Sequence, residues 1–305
     1  MVASAHCTRR QFIHSTLAAG AALASLPVRG TAALAAPGES SGWQIGIYTR
    51  PWAAHDYRVA LDAMAEAGYK YAGLMTTKAA GGLVISQATS PEEAAVIGRE
   101  IKKRGLRLTS VYGGGIPVEK SLQAGIEGLR KLLDNCAAAG ADSLLMGGTG
   151  NPKLQDVYYK AIAETCDYAL DKGLMIAVKP HGGLNATGPQ CRKCIETVGQ
   201  KNFRLWYDPG NIYFYSNGEI DPVKDAETVD GLVCGMSVKD FLPPKRVDVT
   251  PGTGKVDFRA LMARLKKGGF TSGPLVVECL ASGDLPALLT EARKAREFLE
   301  ETVRA

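Results

Sequence analysis

The sequence predicts an α/β protein whose fold is a (β/α)8 TIM barrel. From Trp43 onward, eight short apolar runs alternate with longer stretches of helical period, which is the element order of a closed parallel barrel. Several of these runs stop at a charged residue and are followed by Pro or Gly, which ends a strand. A doubly wound sheet is the alternative, but it typically has fewer strands and a Gly-rich nucleotide turn after the first. The segment Tyr48-Thr49-Arg50-Pro51 is not such a turn.

The predicted strands are runs of four to seven mostly apolar residues, each bounded by glycine, proline or charged residues. They are Gln44–Tyr48, Tyr69–Met75, Arg107–Tyr112, Ser143–Met146, Leu174–Val178, Phe203–Tyr207, Leu232–Val238 and Pro274–Val277.

The predicted helices follow the strands, and most of them end at a glycine, which favours the left-handed turn after a helix. The clearest start is Ser90-Pro91-Glu92-Glu93, which has an N-cap residue, proline in the first turn and two acidic side chains. The predicted helices are His55–Ala67, Ser90–Arg104, Glu119–Ala139, Leu154–Lys172, Gly188–Val198, Pro222–Val229, Asp257–Lys267 and Leu285–Val303.

Residues 1–36 have the pattern of a signal peptide rather than of folded structure. Thr8-Arg9-Arg10-Gln11-Phe12-Ile13 is a twin-arginine motif, an Ala/Leu-rich stretch follows, and Ala33-Leu34-Ala35 resembles a cleavage site. The apolar stretch is too short for a stable membrane span. We therefore expect twin-arginine (Tat) export to the periplasm or beyond, and a single barrel domain over residues 37–305.

Charge and composition are ordinary for a soluble globular protein of 305 residues. The formal charge of +5 falls to +2 without residues 1–36, which contain three arginines and no acidic residue. A nearly neutral mature chain lacks the basic surface that nucleic-acid binding requires. We therefore expect a small-molecule ligand and no nucleic-acid partner.

Charged residues follow four consecutive predicted strands. Lys179 comes after the fifth strand, Asp208 after the sixth, Lys239 and Asp240 after the seventh, and Glu278 after the eighth. The carboxyl ends of barrel strands meet at one mouth, where active sites of such barrels lie. We expect Lys179, Asp208, Lys239 and Glu278 to be catalytic residues that share one cavity.

The chain from Trp43 to the C-terminus resembles the xylose isomerase-like TIM-barrel superfamily, in its sugar-phosphate isomerase/epimerase branch. The segments that carry this resemblance are Tyr207-Asp208-Pro209-Gly210-Asn211, Ser237-Val238-Lys239-Asp240, Gly252-Thr253-Gly254-Lys255-Val256-Asp257-Phe258 and Pro274-Leu275-Val276-Val277-Glu278. The third is similar to the family's G-x-G-x-V-D-F segment, and the fourth to its last strand with a terminal Glu.

The resemblance implies a divalent metal such as Mn, Mg or Zn, held by Glu, Asp, His and Glu at the ends of strands five to eight. Asp208 and Glu278 match two of these positions, while Lys179 and Ser237 stand at the other Glu and the His. A protonated amine cannot ligate a metal, and a hydroxyl is a poor substitute for imidazole.

Three interpretations of this altered site remain open. In the first, Lys179 takes the place of the metal, since two carboxylates in one cavity need a cation to offset their repulsion. It would then polarise a sugar carbonyl or form a Schiff base. In the second, a metal is retained by Asp208, Glu278 and His181.

In the third interpretation the barrel binds a sugar without turning it over. The aromatic residues that follow the sixth strand would then stack on the ligand. These residues are Tyr207, Tyr213, Phe214 and Tyr215.

Five further residues are candidates for substrate binding because each lies at or near the end of a predicted strand. They are Arg50, Tyr112, His181, Asn211 and Ser237.

The sequence as a whole predicts an exported isomerase- or epimerase-like enzyme acting on a carbohydrate or keto-sugar by proton abstraction beside a carbonyl. Glu278 or Asp208 would be the acid/base group, with isomerisation, epimerisation or β-elimination as the outcome. The alternative is a non-catalytic sugar-binding barrel that has lost the metal site.

Overall fold

Eight parallel strands close into a barrel in the computed structural model, which describes residues 42–304. Each strand is hydrogen-bonded to the next along the chain, and β1 pairs with β8. The prediction of a (β/α)8 barrel is confirmed. The strands are β1 Trp43–Tyr48, β2 Tyr71–Leu74, β3 Arg107–Tyr112, β4 Ser143–Met146, β5 Met175–Val178, β6 Phe203–Tyr207, β7 Val233–Val238 and β8 Gly273–Val277.

Helices surround the barrel and cover the outer face of the sheet. The largest apolar cluster lies between the strands and the inner faces of these helices. The helices are α1 Tyr57–Glu66, α2 Pro91–Lys103, α3 Leu122–Ala139, α4 Gln155–Ala163, α5 Cys166–Asp171, α6 Gly188–Val198, α7 Pro209–Tyr215, α8 Pro222–Asp225, α9 Phe258–Lys267 and α10 Leu285–Arg304.

The start of α2 shows how the sequence determines a helix boundary. The Ser90 hydroxyl accepts a hydrogen bond from the Glu93 amide, and the Glu93 carboxylate accepts one from the Ser90 amide. This capping box satisfies two amides that have no partner inside the helix. Pro91 follows in the first turn, where its missing N–H costs nothing.

Two predicted helices are interrupted in the structure. The segment predicted as Leu154–Lys172 divides into α4 and α5, because the Thr165 hydroxyl donates to the Ala161 carbonyl at 2.7 Å and a Thr bonded in this way bends a helix. The segment predicted as Pro222–Val229 is the short helix α8 followed by a 3-10 turn over Ala226–Val229.

One helix, α7, is absent from the predicted helices, because Pro209 and Gly210 directly after the strand are also compatible with a turn. In the structure Asp208 is its N-cap: the carboxylate accepts the Asn211 amide at 2.9 Å, and Pro209 occupies the first turn. The same proline that ends β6 therefore begins a helix, and it does so at the barrel mouth.

The interior of the barrel is a separate layer of apolar side chains that forms the floor of the mouth. This layer contains Tyr48, Met75, Leu145, Ala177, Trp206 and Val276. Its large rings are accommodated by glycines on the neighbouring strands: a Cβ at Gly235 would overlap the Trp206 ring, and one at Gly73 the Tyr48 ring. Side chains two residues further along the strands lie above this floor.

No helix within residues 42–304 is long and apolar enough to cross a membrane.

Replacing Gly235 with Ala should disturb the floor of the mouth, because the added methyl group meets the Trp206 ring. Overpacking of this kind costs about 1–3 kcal/mol. We expect urea unfolding of Gly235→Ala to show that loss. Gly115→Ala is the matched control, since nothing lies within 4 Å of a Cβ there. Equal stability of the two variants would contradict the close packing.

Candidate active site at the barrel mouth

The charged residues that follow β5 to β8 meet above the barrel floor. Ala177, Trp206 and Val276 face the interior, so the residues two positions later face the same way, above them. These are Lys179, Asp208 and Glu278. Lys239 joins them from the end of β7, as its contacts show below. The structure brings these four side chains together, as the contacts below show.

The Lys179 amine lies between the two carboxylates. Its Nζ is 2.7 Å from Glu278 Oε2, 2.9 Å from Glu278 Oε1 and 3.4 Å from Asp208 Oδ2. The backbone at this position is held by Asn185, whose side-chain amide donates to the Lys179 carbonyl at 2.7 Å. Lys179 is therefore fixed at both its backbone and its amine.

The Lys239 amine bridges the same two carboxylates from the other side. Its Nζ is 2.7 Å from Glu278 Oε1 and 3.1 Å from Asp208 Oδ2. It also donates to Asn211 Oδ1 at 3.0 Å, and the Asn211 amide nitrogen donates to the Pro180 carbonyl at 2.7 Å. Asn211 thus uses both ends of its side chain within the protein and orients Lys239.

Arg50, from the 3-10 turn that follows β1, is the third cation of the site. Its Nη1 donates to Glu278 Oε1 at 2.8 Å. The three cations Lys179, Lys239 and Arg50 and the two carboxylates Asp208 and Glu278 form what we call the mouth cluster. Four of its members are almost fully buried, and only Arg50 is partly exposed.

Burial and the neighbouring charges set the proton affinities of the cluster. Burial opposes the charge of Glu278, but Lys179, Lys239 and Arg50 outweigh it and hold the Glu278 pKa well below 4.5. Burial likewise opposes the charge of Lys239, yet Asp208 and Glu278 raise its pKa. Burial, with Lys239 nearby, lowers the pKa of Lys179 below 10.5. The two lysines therefore differ: Lys239 retains its proton, and Lys179 is the stronger acid.

Aromatic side chains line the outer part of the mouth. The Tyr112 ring lies 5.8 Å from Lys179 Nζ, and its centroid is 6.2 Å from that of His181. The His181 and Tyr215 rings are 6.1 Å apart. The His181 residue is partly exposed, but desolvation of its ring by the surrounding side chains and the charges of Lys179 and Lys239 lower its pKa to about 4, so the ring is neutral at pH 7.

Asp240 does not belong to the mouth cluster but organises the loop after β7. Its buried carboxylate accepts four backbone hydrogen bonds at 2.8–3.0 Å. The donors are Phe241, Gly252, Gly254 and Val256. A Cβ at Gly254 would overlap this carboxylate. The G-x-G-x-V segment therefore has a structural role: its amides enclose the residue next to Lys239.

Ser237, a predicted substrate-binding residue, faces the barrel interior beside Val276, its partner in the β7–β8 pairing. The side chain is fully buried, and its hydroxyl has no hydrogen-bond partner. It lies two residues before Lys239 and hence one layer deeper in the barrel.

The described residues do not fit a divalent metal at this position. They contain no group of three His, Cys, Asp or Glu side chains that could hold one, so the predicted set Asp208, Glu278 and His181 is not assembled as a ligand group. The physical reason is that the two lysine amines lie at 2.7–3.4 Å from the carboxylate oxygens that would bind the ion. Ammonium groups offer no lone pair to a metal.

The predicted aromatic cluster after β6 is only partly at the mouth. The Tyr207 hydroxyl donates to the Pro222 carbonyl and contacts Asp225 outside the barrel, and Tyr213 stacks on Phe241. Of the four residues Tyr215 alone has a ring beside His181. The error arose because α7 was not predicted, and successive residues of a helix point in different directions.

A family model described as xylose isomerase-like TIM barrel matches residues 61–302. No curated protein matches the chain.

Solved structures with the same fold include two ketose epimerases. D-psicose 3-epimerase from Clostridium cellulolyticum H10, determined with D-tagatose, is 14% identical with a TM-score of 0.67, over 85% of this chain and 99% of that chain. D-allulose 3-epimerase from Methylomonas sp., in complex with D-allulose, is 20% identical with a TM-score of 0.66, over 86% and 97%. A xylose isomerase domain protein from Planctomyces limnophilus is 17% identical with a TM-score of 0.66, over 85% and 97%. At these identities the likeness shows a shared fold.

Acid should destabilise the protein through Glu278. Its pKa lies below 4.5 in the folded state, so the unfolded chain binds more protons once the pH falls under that value. The contribution of Glu278 to the free energy of unfolding is therefore fully present above about pH 4.5 and is lost as the pH falls through the folded-state pKa. This one proton gives a slope of up to about 1.4 kcal/mol per pH unit. Urea unfolding at pH values from about 3 to about 7 measures this loss of stability.

The matched comparison for this pH dependence is the double variant Lys179→Met with Glu278→Gln, which removes one charge of each sign. It should lose part of the slope, whereas Glu196→Gln, which removes an exposed carboxylate, should keep it. An unchanged slope in the double variant would contradict the contribution of Glu278.

Proposed function

The chain belongs to the xylose isomerase-like TIM-barrel family, and from that premise we propose that it is an exported enzyme that moves a proton beside the carbonyl of a carbohydrate derivative. The observation that carries the proposal is the mouth cluster, in which two lysine amines contact both Asp208 and Glu278. Removal of a proton beside a carbonyl places negative charge on the carbonyl oxygen, and fixed positive groups in a buried site stabilise that charge.

Glu278 is the proton acceptor in this proposal and Lys179 the proton donor. The carboxylate takes the proton from carbon, the C–H electrons form the C=C bond of the enediol, and the carbonyl π electrons move to oxygen. Lys179 gives its N–H proton to that oxygen. The pair begins as ammonium and carboxylate and ends as amine and carboxylic acid, so the protons balance.

The contacts within the cluster support this assignment. Lys179 donates both of its shortest hydrogen bonds to Glu278, and release of its proton would remove the strongest influence that keeps the Glu278 pKa low. The lowered pKa of Lys179 makes it a better acid than an ordinary lysine. Lys239, whose pKa is raised, keeps its charge throughout and is held in place by Asp208 and Asn211.

The product depends on where the proton returns. Return to the opposite face of the same carbon is epimerisation, and return to the neighbouring carbon is isomerisation. Loss of a β-substituent from the enediol is elimination. A neutral His181 ring and the Tyr112 and Tyr215 side chains at the mouth offer a surface for the carbon skeleton of a sugar.

A second function, sugar binding without turnover, is favoured by one observation. Asp208 and Glu278 are both paired with lysines of the same chain, and a fully paired network can serve stability and shape alone. Exchange of a sugar's carbon-bound protons with deuterated water separates the two functions, because a binder exchanges none.

Lys179→Met should reduce this deuterium exchange by about a hundredfold or more, since it removes the proton donor. Lys239 and Arg50 still balance Asp208 and Glu278 in this variant, so we expect it to fold. Lys172→Met is the matched control, because Lys172 pairs with Asp134 near the start of β5, at the other end of the barrel. The measurement is proton NMR of keto-sugars and keto-aldonates incubated in deuterated water.

Two outcomes would contradict this assignment. Equal exchange in Lys179→Met and Lys172→Met would remove Lys179 from the mechanism. Loss of exchange after treatment with a chelator, and its recovery with Mn²⁺, Mg²⁺ or Zn²⁺, would contradict the replacement of a metal by lysine.

We also propose that residues 1–36 direct export, which is supported by the twin-arginine motif, the apolar stretch and the Ala-x-Ala site. These residues lie outside the described part of the chain. Replacing Arg9 and Arg10 with Lys should leave the full-length chain in the cytoplasm of a host with the twin-arginine pathway. Cell fractionation with mass determination of the chain measures this, and unchanged export of the double variant would contradict it.

A further inference from the structure

A cavity of about 230 Å³ lies beside the mouth cluster. Its lining includes Arg50, Asp248, Glu278, Cys279 and Ser282. A ligand in this cavity would lie against the Arg50 guanidinium and next to Glu278, whose side chain is almost fully buried. The space is small compared with pockets for drug-sized ligands, which measure about 300–1,000 Å³, so it suits part of a small polar molecule.

The guanidinium of Arg50, which lines the cavity, has N–H donors without a hydrogen-bond partner among the described residues. Among the described residues it makes one hydrogen bond, from Nη1 to Glu278. The nearest other carboxylate oxygen belongs to Asp248, 4.0 Å from Nη2, which is beyond hydrogen-bond distance. A guanidinium carries five N–H donors in a planar fork, so most of them point to no protein acceptor. The side chain is 34% exposed, so a ligand can reach it.

The mouth cluster also has one positive charge in excess. Lys179, Lys239 and Arg50 face only two buried carboxylates, Asp208 and Glu278. Asp248 compensates little, because its side chain is 62% exposed and remains solvated. A buried site with excess positive charge favours a ligand that carries a single negative charge.

We propose that Arg50 binds a carboxylate of the substrate, and that the substrate class is therefore a sugar acid, such as a keto-aldonate or a uronate, rather than a neutral sugar. The inference rests on the proposed function for its claim that the ligand is a substrate. A carboxylate matches the fork of the guanidinium with two parallel hydrogen bonds. Its single charge also matches the excess of the cluster, whereas a phosphate monoester carries nearly two charges at neutral pH.

The geometry gives the acid group a second role in the reaction. A carboxylate on the free side of Arg50 would place the adjacent carbon atoms toward Glu278, which the same guanidinium contacts through Nη1. Positioning by a bidentate arginine is an efficient way to hold a reacting carbon beside a base. A neutral sugar would lack this anchor and would leave the excess charge unpaired.

The test is calorimetric binding of two ligands that differ at one carbon, 2-keto-D-gluconate and D-fructose, to the purified protein at low salt. We expect the acid to bind at least about tenfold more tightly than the sugar, which is the size expected for a charge-assisted hydrogen bond. D-Glucuronate with D-glucose is the second pair. Arg50→Gln should remove the preference, and Arg50→Lys, which keeps the charge but not the fork, should retain part of it.

Arg107→Gln is the matched control. It removes one arginine charge from the start of β3, at the other end of the barrel, where Arg107 pairs with Asp142. Thermal unfolding monitored by circular dichroism checks that each variant is folded. The ratio of acid to sugar affinity is the readout, because a purely structural role of Arg50 would change both affinities together.

The inference is overturned if neither acid binds more tightly than its neutral partner, or if the preference persists in Arg50→Gln. Tighter binding of inorganic phosphate or D-fructose 6-phosphate than of either acid overturns the choice of carboxylate. Its failure is distinct from that of the proposed function, since binding is measured without turnover. Deuterium exchange on neutral sugars without acid preference would leave the proposed function standing and end this inference.

Discussion

The buried ion-pair cluster is the constraint on which the rest of the mouth depends. Burying four charged groups and part of a fifth carries a large cost unless the charges have partners, and here four strand ends and the turn after β1 supply those partners. Asp208 has a double role, since it pairs with both lysines and caps α7 through the Asn211 amide. The position of that helix and the position of the charges are therefore determined together.

The barrel beneath the cluster determines where the charged side chains lie. Parallel strands deliver alternate side chains to the interior, so a floor of Ala177, Trp206 and Val276 places the charged residues in the layer above. Glycines such as Gly235 make room for the large rings of that floor. Without the large Trp206 ring the floor would leave a cavity below the cluster that water could enter, and the ion pairs would weaken in the higher dielectric.

The sequence was sufficient to predict the barrel and the convergence of Lys179, Asp208 and Glu278, because both follow from periodicity and from where strands end. It was not sufficient for features that depend on contacts distant in the chain. The helix after Asp208 was missed because Pro209 is as compatible with a turn as with a helical first turn. Nor could the sequence show that Lys239 bridges the same two carboxylates as Lys179, since the sequence alone does not give the distance between two side chains.

Lys179 stands at a position where the family resemblance implies a carboxylate ligand of a metal, and this changes what the site can do. A divalent ion stabilises negative charge directly, whereas in the proposed reaction the Lys179 ammonium would supply both a charge and a proton. Its partner Lys239, with a raised pKa, supplies only charge. Three cations against two carboxylates also leave the cluster positive before any ligand binds. Such a site is therefore best matched by a substrate that brings its own negative charge, and this requirement follows from the charge balance of the mouth rather than from the fold.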